Sequence, residues 1–152
     1  MTAILGVAVL LGSGLTAGVL FSVALSVVPA FLGVPPERYV ELHKLIGRRY
    51  DHVMPPLVAT WTVLDVVLAT GADTATSRAL FVSAAVLGCG VAAVSQLGNV
   101  PINRRVKRLP AGPVPAGWAD PRGAWRTFNL VRTHLAVLAL AANACGLLIG
   151  GS

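Results

Sequence analysis

Apolar residues in this chain come in long, nearly unbroken blocks, not in the narrow stripe of a surface helix or the alternation of a half-buried strand. Four blocks, 4–32, 53–70, 78–97 and 128–149, reach the length that crosses roughly 30 Å of hydrocarbon at about 1.5 Å per residue. Backbone amides facing lipid have no water to bond, so each block is expected to be a helix. The fold class that follows is all-α: an integral membrane four-helix bundle filling residues 1–152 as one domain.

The interruptions predict the connecting elements. Pro35 and Pro36 end the first block and open a segment, 37–50, in which Tyr39, Leu42, Leu45 and Ile46 share one side of a helix. An interfacial helix lying along the bilayer is expected there. The Met54-Pro55-Pro56 run would then re-enter the membrane as a first helical turn, where proline is tolerated. The third connection, 98–123, is rich in Pro and Gly and carries Trp118 and Trp125 as expected interfacial anchors. It is expected to fold back under the bundle as a cap. In the first span, Gly14-Leu15-Thr16-Ala17-Gly18 forms a GxxxG beside Gly12 and Ser13, a surface suited to close helix contact and compatible with a homo-oligomer.

Composition agrees: the chain is 55% hydrophobic and 12% charged, with a mean hydropathy of +0.76. The first block lacks a basic leader and exceeds the about 7–15 apolar residues of a signal peptide, so it is expected to remain in the mature chain. The two cysteines, Cys89 and Cys145, fall at depths about 10 Å apart by helical rise, so no disulfide is expected. The absence of a CxxC argues against a thiol-oxidising enzyme.

A net charge of +6 would ordinarily raise nucleic acid as a partner. Here the basic residues flank spans and report topology instead. The first connection holds Arg38, Lys44, Arg48 and Arg49. The third holds Arg104, Arg105, Lys107, Arg108, Arg122 and Arg126, with Arg132 just inside the fourth span. Only Arg78 lies on the second, so eleven of the twelve basic residues agree. A multi-pass protein of the cell membrane is expected, with connections one and three cytoplasmic and both termini outside.

The polar residues sort by depth into two groups. The shallow one contains Glu37, Glu41, His43, His52, Asn99, Asn103, Asn129, Arg132 and His134, and so all three histidines. Three imidazoles at one level could hold a metal, with copper or iron preferred over zinc if dioxygen is to be activated. Equally, His43 and His52 read as ordinary interfacial residues, and His134 as a buried hydrogen-bond partner of Asp51 or a carbonyl. The deeper group has Asp65 with Asn143 at the same level, and Ser83, Ser13 and Thr16. An acid inside a span faces the bundle interior by default, as proton carrier, substrate anchor or helix-stitching hydrogen-bond partner.

Three motifs carry a resemblance: Gly47-Arg-Arg-Tyr-Asp-His-Val-Met-Pro-Pro-Leu-Val58, Asn99-Val-Pro-Ile-Asn103, and Trp125-x-x-Phe-Asn-x-x-Arg132. In order and spacing they resemble the anthrone oxygenase-like family of small four-helix membrane proteins. The resemblance implies an oxygenase that uses dioxygen on a hydrophobic aromatic or polyketide-like substrate in biosynthesis. The chain departs from the family pattern at Asn129, where a His often stands. Oxidising an anthrone needs a base for its acidic CH, a donor for the enolate oxygen and an apolar slot. On that scheme His43 or His52 is the base, with His134 a third candidate. Asn103 and Arg132 hold the oxyanion, and Tyr50 and Trp125, with Asn129 and Asp65, contact the substrate. His43, His52 and His134 are the candidate metal ligands. Two further classes stay open: a small transporter built on Asp65, against which the strong charge bias and lack of visible repeats speak, and a structural or assembly subunit.

Overall fold

The computed structural model describes residues 2–110 and 112–150; the side chains of Thr2, Arg48 and Asp51 also lie outside the described set, and with them the expected Asp51–His134 pair. The chain folds into four long helical rods. The first runs through α1 (Thr2–Ser22), a wide π turn (Val23–Val27) and α2 (Val28–Gly33). Then come α3 (Pro36–Thr70), α4 (Ala75–Val94) continued by a second π turn (Ser95–Asn99) and α5 (Val100–Lys107), and finally α6 (Arg122–Gly150). Four stretches are long and apolar enough to span a membrane: Ala3–Gly33, His52–Thr70, Ala75–Lys107 and Arg122–Gly150.

The helices close a ring, α1 against α3, α3 against α4, α4 against α6 and α6 against α1. Small residues set the close approaches. A Cβ on Gly12 would stand 2.9 Å from the Trp61 Cβ, and one on Gly88 would stand 2.3 Å from the Thr62 hydroxyl. The expected GxxxG contact is shifted accordingly. Gly12, Ser13, Thr16 and Ala17 face inward, whereas Gly18 is exposed with nothing within 4 Å of an added Cβ.

Two expectations about the connections change. The segment 37–50 is helical but is not a separate interfacial element: α3 runs unbroken from Pro36 through Pro55 and Pro56 to Thr70. Two successive prolines remove two helical donors. The helix continues across them because its inward face, from Tyr39 to Trp61, is packed on both sides of the break. The third connection is shorter than expected, because the third rod extends to Lys107.

Both π turns precede a proline, Pro29 and Pro101. A proline ring clashes with the carbonyl four residues earlier, and the wider turn makes room for it. Val28 N–H bonds Val23 O, and Val100 N–H bonds Ser95 O, so each turn closes with its own hydrogen bond.

Candidate functional site in the bundle

Both π turns face one cavity of about 560 Å³, walled by the inner faces of the four rods at the end where α3 begins and α5 ends. Its floor is an aromatic nest. Phe31, Tyr39, His43 and Trp125 lie with ring centroids 5.1–5.7 Å apart, and Trp118 covers Tyr39 from the third connection at 6.2 Å. His43 and Tyr39 come together because they stand one turn apart on α3.

Asn103 organises the polar side of that nest. Its Oδ1 accepts from Trp125 Nε1 at 3.0 Å and lies 3.1 Å from His43 Nε2. An indole N–H can only donate, so the amide orientation follows from chemistry: Oδ1 must face Trp125. The same oxygen then requires a proton on His43 Nε2. In the neutral imidazole the lone pair is left on Nδ1.

Around this triad, Asn99 donates from Nδ2 to Trp125 O at 3.2 Å. Its Oδ1 is buried without a hydrogen-bond partner at the cavity wall. Arg132 reaches the cavity with Nε and Nη2 donating to Asn129 Oδ1 at 3.3 and 2.9 Å. Asn129 is thus a positioning residue, fully buried and behind the wall.

The third connection is pinned beneath the nest, as its capping role requires. Arg122 Nη1 donates to Phe31 O and Val34 O at 2.8 and 2.7 Å, pairs with Asp120, and lies over the Tyr39 ring. Hydrogen bonds from Arg122 hold the Asp120 carboxyl below its usual range. Burial, reinforced by the charge of Asp120, holds the Tyr39 phenol well above its usual value, so it stays protonated.

The expected site residues are not all gathered here. His43, Tyr50, Asn103, Trp125 and Arg132 line the cavity. His52 is exposed on α3, and His134 is exposed on α6 with Nδ1 2.7 Å from Leu130 O, within its own helix. The three imidazoles do not converge, and among the described residues no three His, Cys, Asp or Glu side chains form a cluster able to hold a metal. The three-histidine ligand set therefore does not fit one centre.

Asp65 is fully buried with Asn143 beside it, as their shared depth predicts, but neither lines the cavity and no hydrogen bond of good geometry joins them. Ser83, expected inside, is exposed and bonds back to Ala79 O. Sequence reading gave Tyr39 and Phe31 no part in the site. The i, i+4 spacing of Tyr39 and His43 and the prolines at 29 and 101 were the available signals.

Residues 44–142, nearly two thirds of the chain, match the anthrone oxygenase family. The chain belongs to that family. The matched region runs from the first turns of α3 through most of α6 and includes Asn103, Trp125 and Arg132; His43 lies immediately before it. No curated protein and no solved structure matches the sequence. As an anthrone oxygenase family member with four apolar helices, it is an oxygenase-like membrane protein.

Proposed function

We propose that this protein oxidises an anthrone-like aromatic with dioxygen in the cavity above the Phe31, Tyr39, His43 and Trp125 nest, with His43 as general base. The observation that carries the reading is the shared acceptor: Asn103 Oδ1, committed to Trp125, holds the His43 proton on Nε2 and makes Nδ1 the basic atom. His43 is only 3% exposed, so it works out of bulk water, where a positioned base contributes about 10²–10⁴ in rate.

The chemistry balances without a further reductant. His43 takes a proton from the CH₂ opposite the carbonyl, and the electron pair moves into the ring system as an enolate. With Oδ1 turned to Trp125 and His43, the Asn103 amide presents Nδ2 as donor, and Arg132 supplies positive charge, both suited to the enolate oxygen. The enolate carbon bonds to dioxygen, which is reduced to a hydroperoxide protonated from His43. Loss of the second C–H proton with cleavage of the O–O bond gives the new carbonyl and one water. An anthrone and O₂ thus become an anthraquinone and H₂O.

Asn99 Oδ1, buried and unpartnered, suits a phenolic hydroxyl on the substrate. The apolar remainder of the cavity selects for a flat hydrocarbon framework. The basic residues support placing this end of the bundle at the cytoplasmic face of the cell membrane, with both termini outside. The test is oxygen uptake and quinone absorbance with 1,8-dihydroxyanthrone in detergent-purified protein. One O₂ per quinone, lost in His43→Gln with the helix content intact, is the expected result; turnover unchanged in that variant overturns the assignment of the base.

A further inference from the structure

The cavity is longer than a three-ring aromatic needs, and its two ends differ in chemistry. From Asn103 to Cys89 along the third rod is about 21 Å by helical rise. Both residues line the same cavity. At the Asn103 end the lining is polar, with His43, Asn99, Asn103 and Arg104, and it too is open between the rods, where Ile46, Tyr50, Gln96 and Arg104 are exposed. At the Cys89 end it is Pro55, Ala59 and Val63 on α3 and Cys89 and Ala92 on α4, all lining the cavity and all exposed on the outer face of the bundle. Side chains that line a cavity and are exposed at once mark its mouth. This mouth lies between α3 and α4 within the apolar spans, so it opens toward acyl chains and not toward water.

A second observation points to a ligand at the polar end. Asn99 is 1% exposed, and its Oδ1 has no partner, at a wall where an incoming donor would complete it. A ligand that satisfies both ends is amphiphilic: a hydroxylated aromatic head at Asn99 and Asn103, and an aliphatic tail leaving through the α3–α4 mouth. We infer that the site takes a membrane-dissolved, alkyl- or prenyl-tailed phenolic aromatic, which slides in head first from the bilayer. This rests on the oxygenase reading for the head, whereas the tail channel follows from the shape and exposure of the lining alone.

Cys89 reports on the channel directly. With Cys145 replaced by Ser, it is the sole thiol, standing at the mouth. The experiment follows N-ethylmaleimide labelling of Cys89 in detergent, in the presence of 1,8-dihydroxyanthrone with or without a dodecyl chain on one outer ring, meta to its hydroxyl and away from the carbonyl. The expected result is labelling slowed at least fivefold by the tailed probe and unchanged by the parent. Equal slowing by both, or by neither, overturns the inference.

A second measurement uses turnover. Ala92→Trp narrows the mouth and is expected to lower the ratio of kcat/KM for the tailed probe to that for the parent at least tenfold; an unchanged ratio overturns the tail route. The two readings separate cleanly. Oxygen uptake on the parent without Cys89 protection by the tailed probe removes the tail channel alone. Protection without oxygen uptake removes the oxygenase reading and leaves an amphiphile-binding site.

Discussion

The two ends of this bundle bury polar side chains in opposite ways. At the His43 end, Asn99, Asn103 and Arg132 stand at the wall of an open space, where directed hydrogen bonds tie Asn99 and Asn103 to Trp125, Asn103 to His43 and Arg132 to Asn129. At the Asp65 end, Ser13, Asp65 and Asn143 are fully buried outside the cavity lining, between the apolar cluster around Trp61 and that around Val9 and Phe81. Ser13 there bonds only its own helix, at Val9 O. The difference separates chemistry from packing. Orientation by unlike partners, plus space for a guest, marks the first end as a site, whereas burial alone, without space, does not make the second one.

The largest effect that could break this contrast is at His43. Replacement by Ala is expected to lower kcat/KM on an anthrone by about 10²–10⁴, while His52→Ala and His134→Ala stay within about twofold, measured by oxygen uptake. A comparable loss at His134 would return the chemistry to the outer face of α6. Next comes Asn103→Leu, which removes the acceptor shared by His43 and Trp125. A loss of about 10²-fold, near 2.7 kcal/mol of transition-state stabilisation, is expected, together with a displaced pH–rate profile because the His43 tautomer is no longer held.

Beside the Trp61 cluster the readout is stability. Gly88→Val places new atoms where a Cβ already stands 2.3 Å from Thr62 Oγ1 and 2.7 Å from the Trp61 ring. Overpacking of this kind costs about 1–3 kcal/mol, visible as a lower melting temperature in detergent. Asp65→Asn removes an acid that lacks a good hydrogen bond, so stability is expected to hold or rise and turnover to stay within about twofold. Turnover abolished in Asp65→Asn would erase the contrast between the two ends.

The smallest effect concerns the loop latch. Asp120 titrates below its ordinary 3.8 in the folded protein, so its pairing with Arg122 contributes above that value and is lost only as pH falls through the lowered one. The pair is partly solvent-exposed and correspondingly weak. Thermal melts of wild type and Asp120→Asn are therefore expected to differ by a small, constant margin between pH 5 and 8, wild type the higher, and to converge only below pH 4.

Much of this was legible in the chain before folding. Block length and the price of unbonded amides in lipid determined four membrane helices, because both depend on local composition alone. Clustering by depth brought His43, Asn103, Trp125 and Arg132 to one end for the same reason: helical rise converts position into height. Rotation about the helix axis is another matter. His43 and His134 share that end, yet one points into the aromatic nest and the other outward, a difference set by how α3 and α6 pack. The unbroken α3 likewise depended on contacts between rods, which no local pattern encodes, whereas the π turns had a local signal in Pro29 and Pro101. Sequence by itself determined which residues stand at the level of the site; only the tertiary structure decided which of them face one another, because facing is a property of packed pairs and not of single positions.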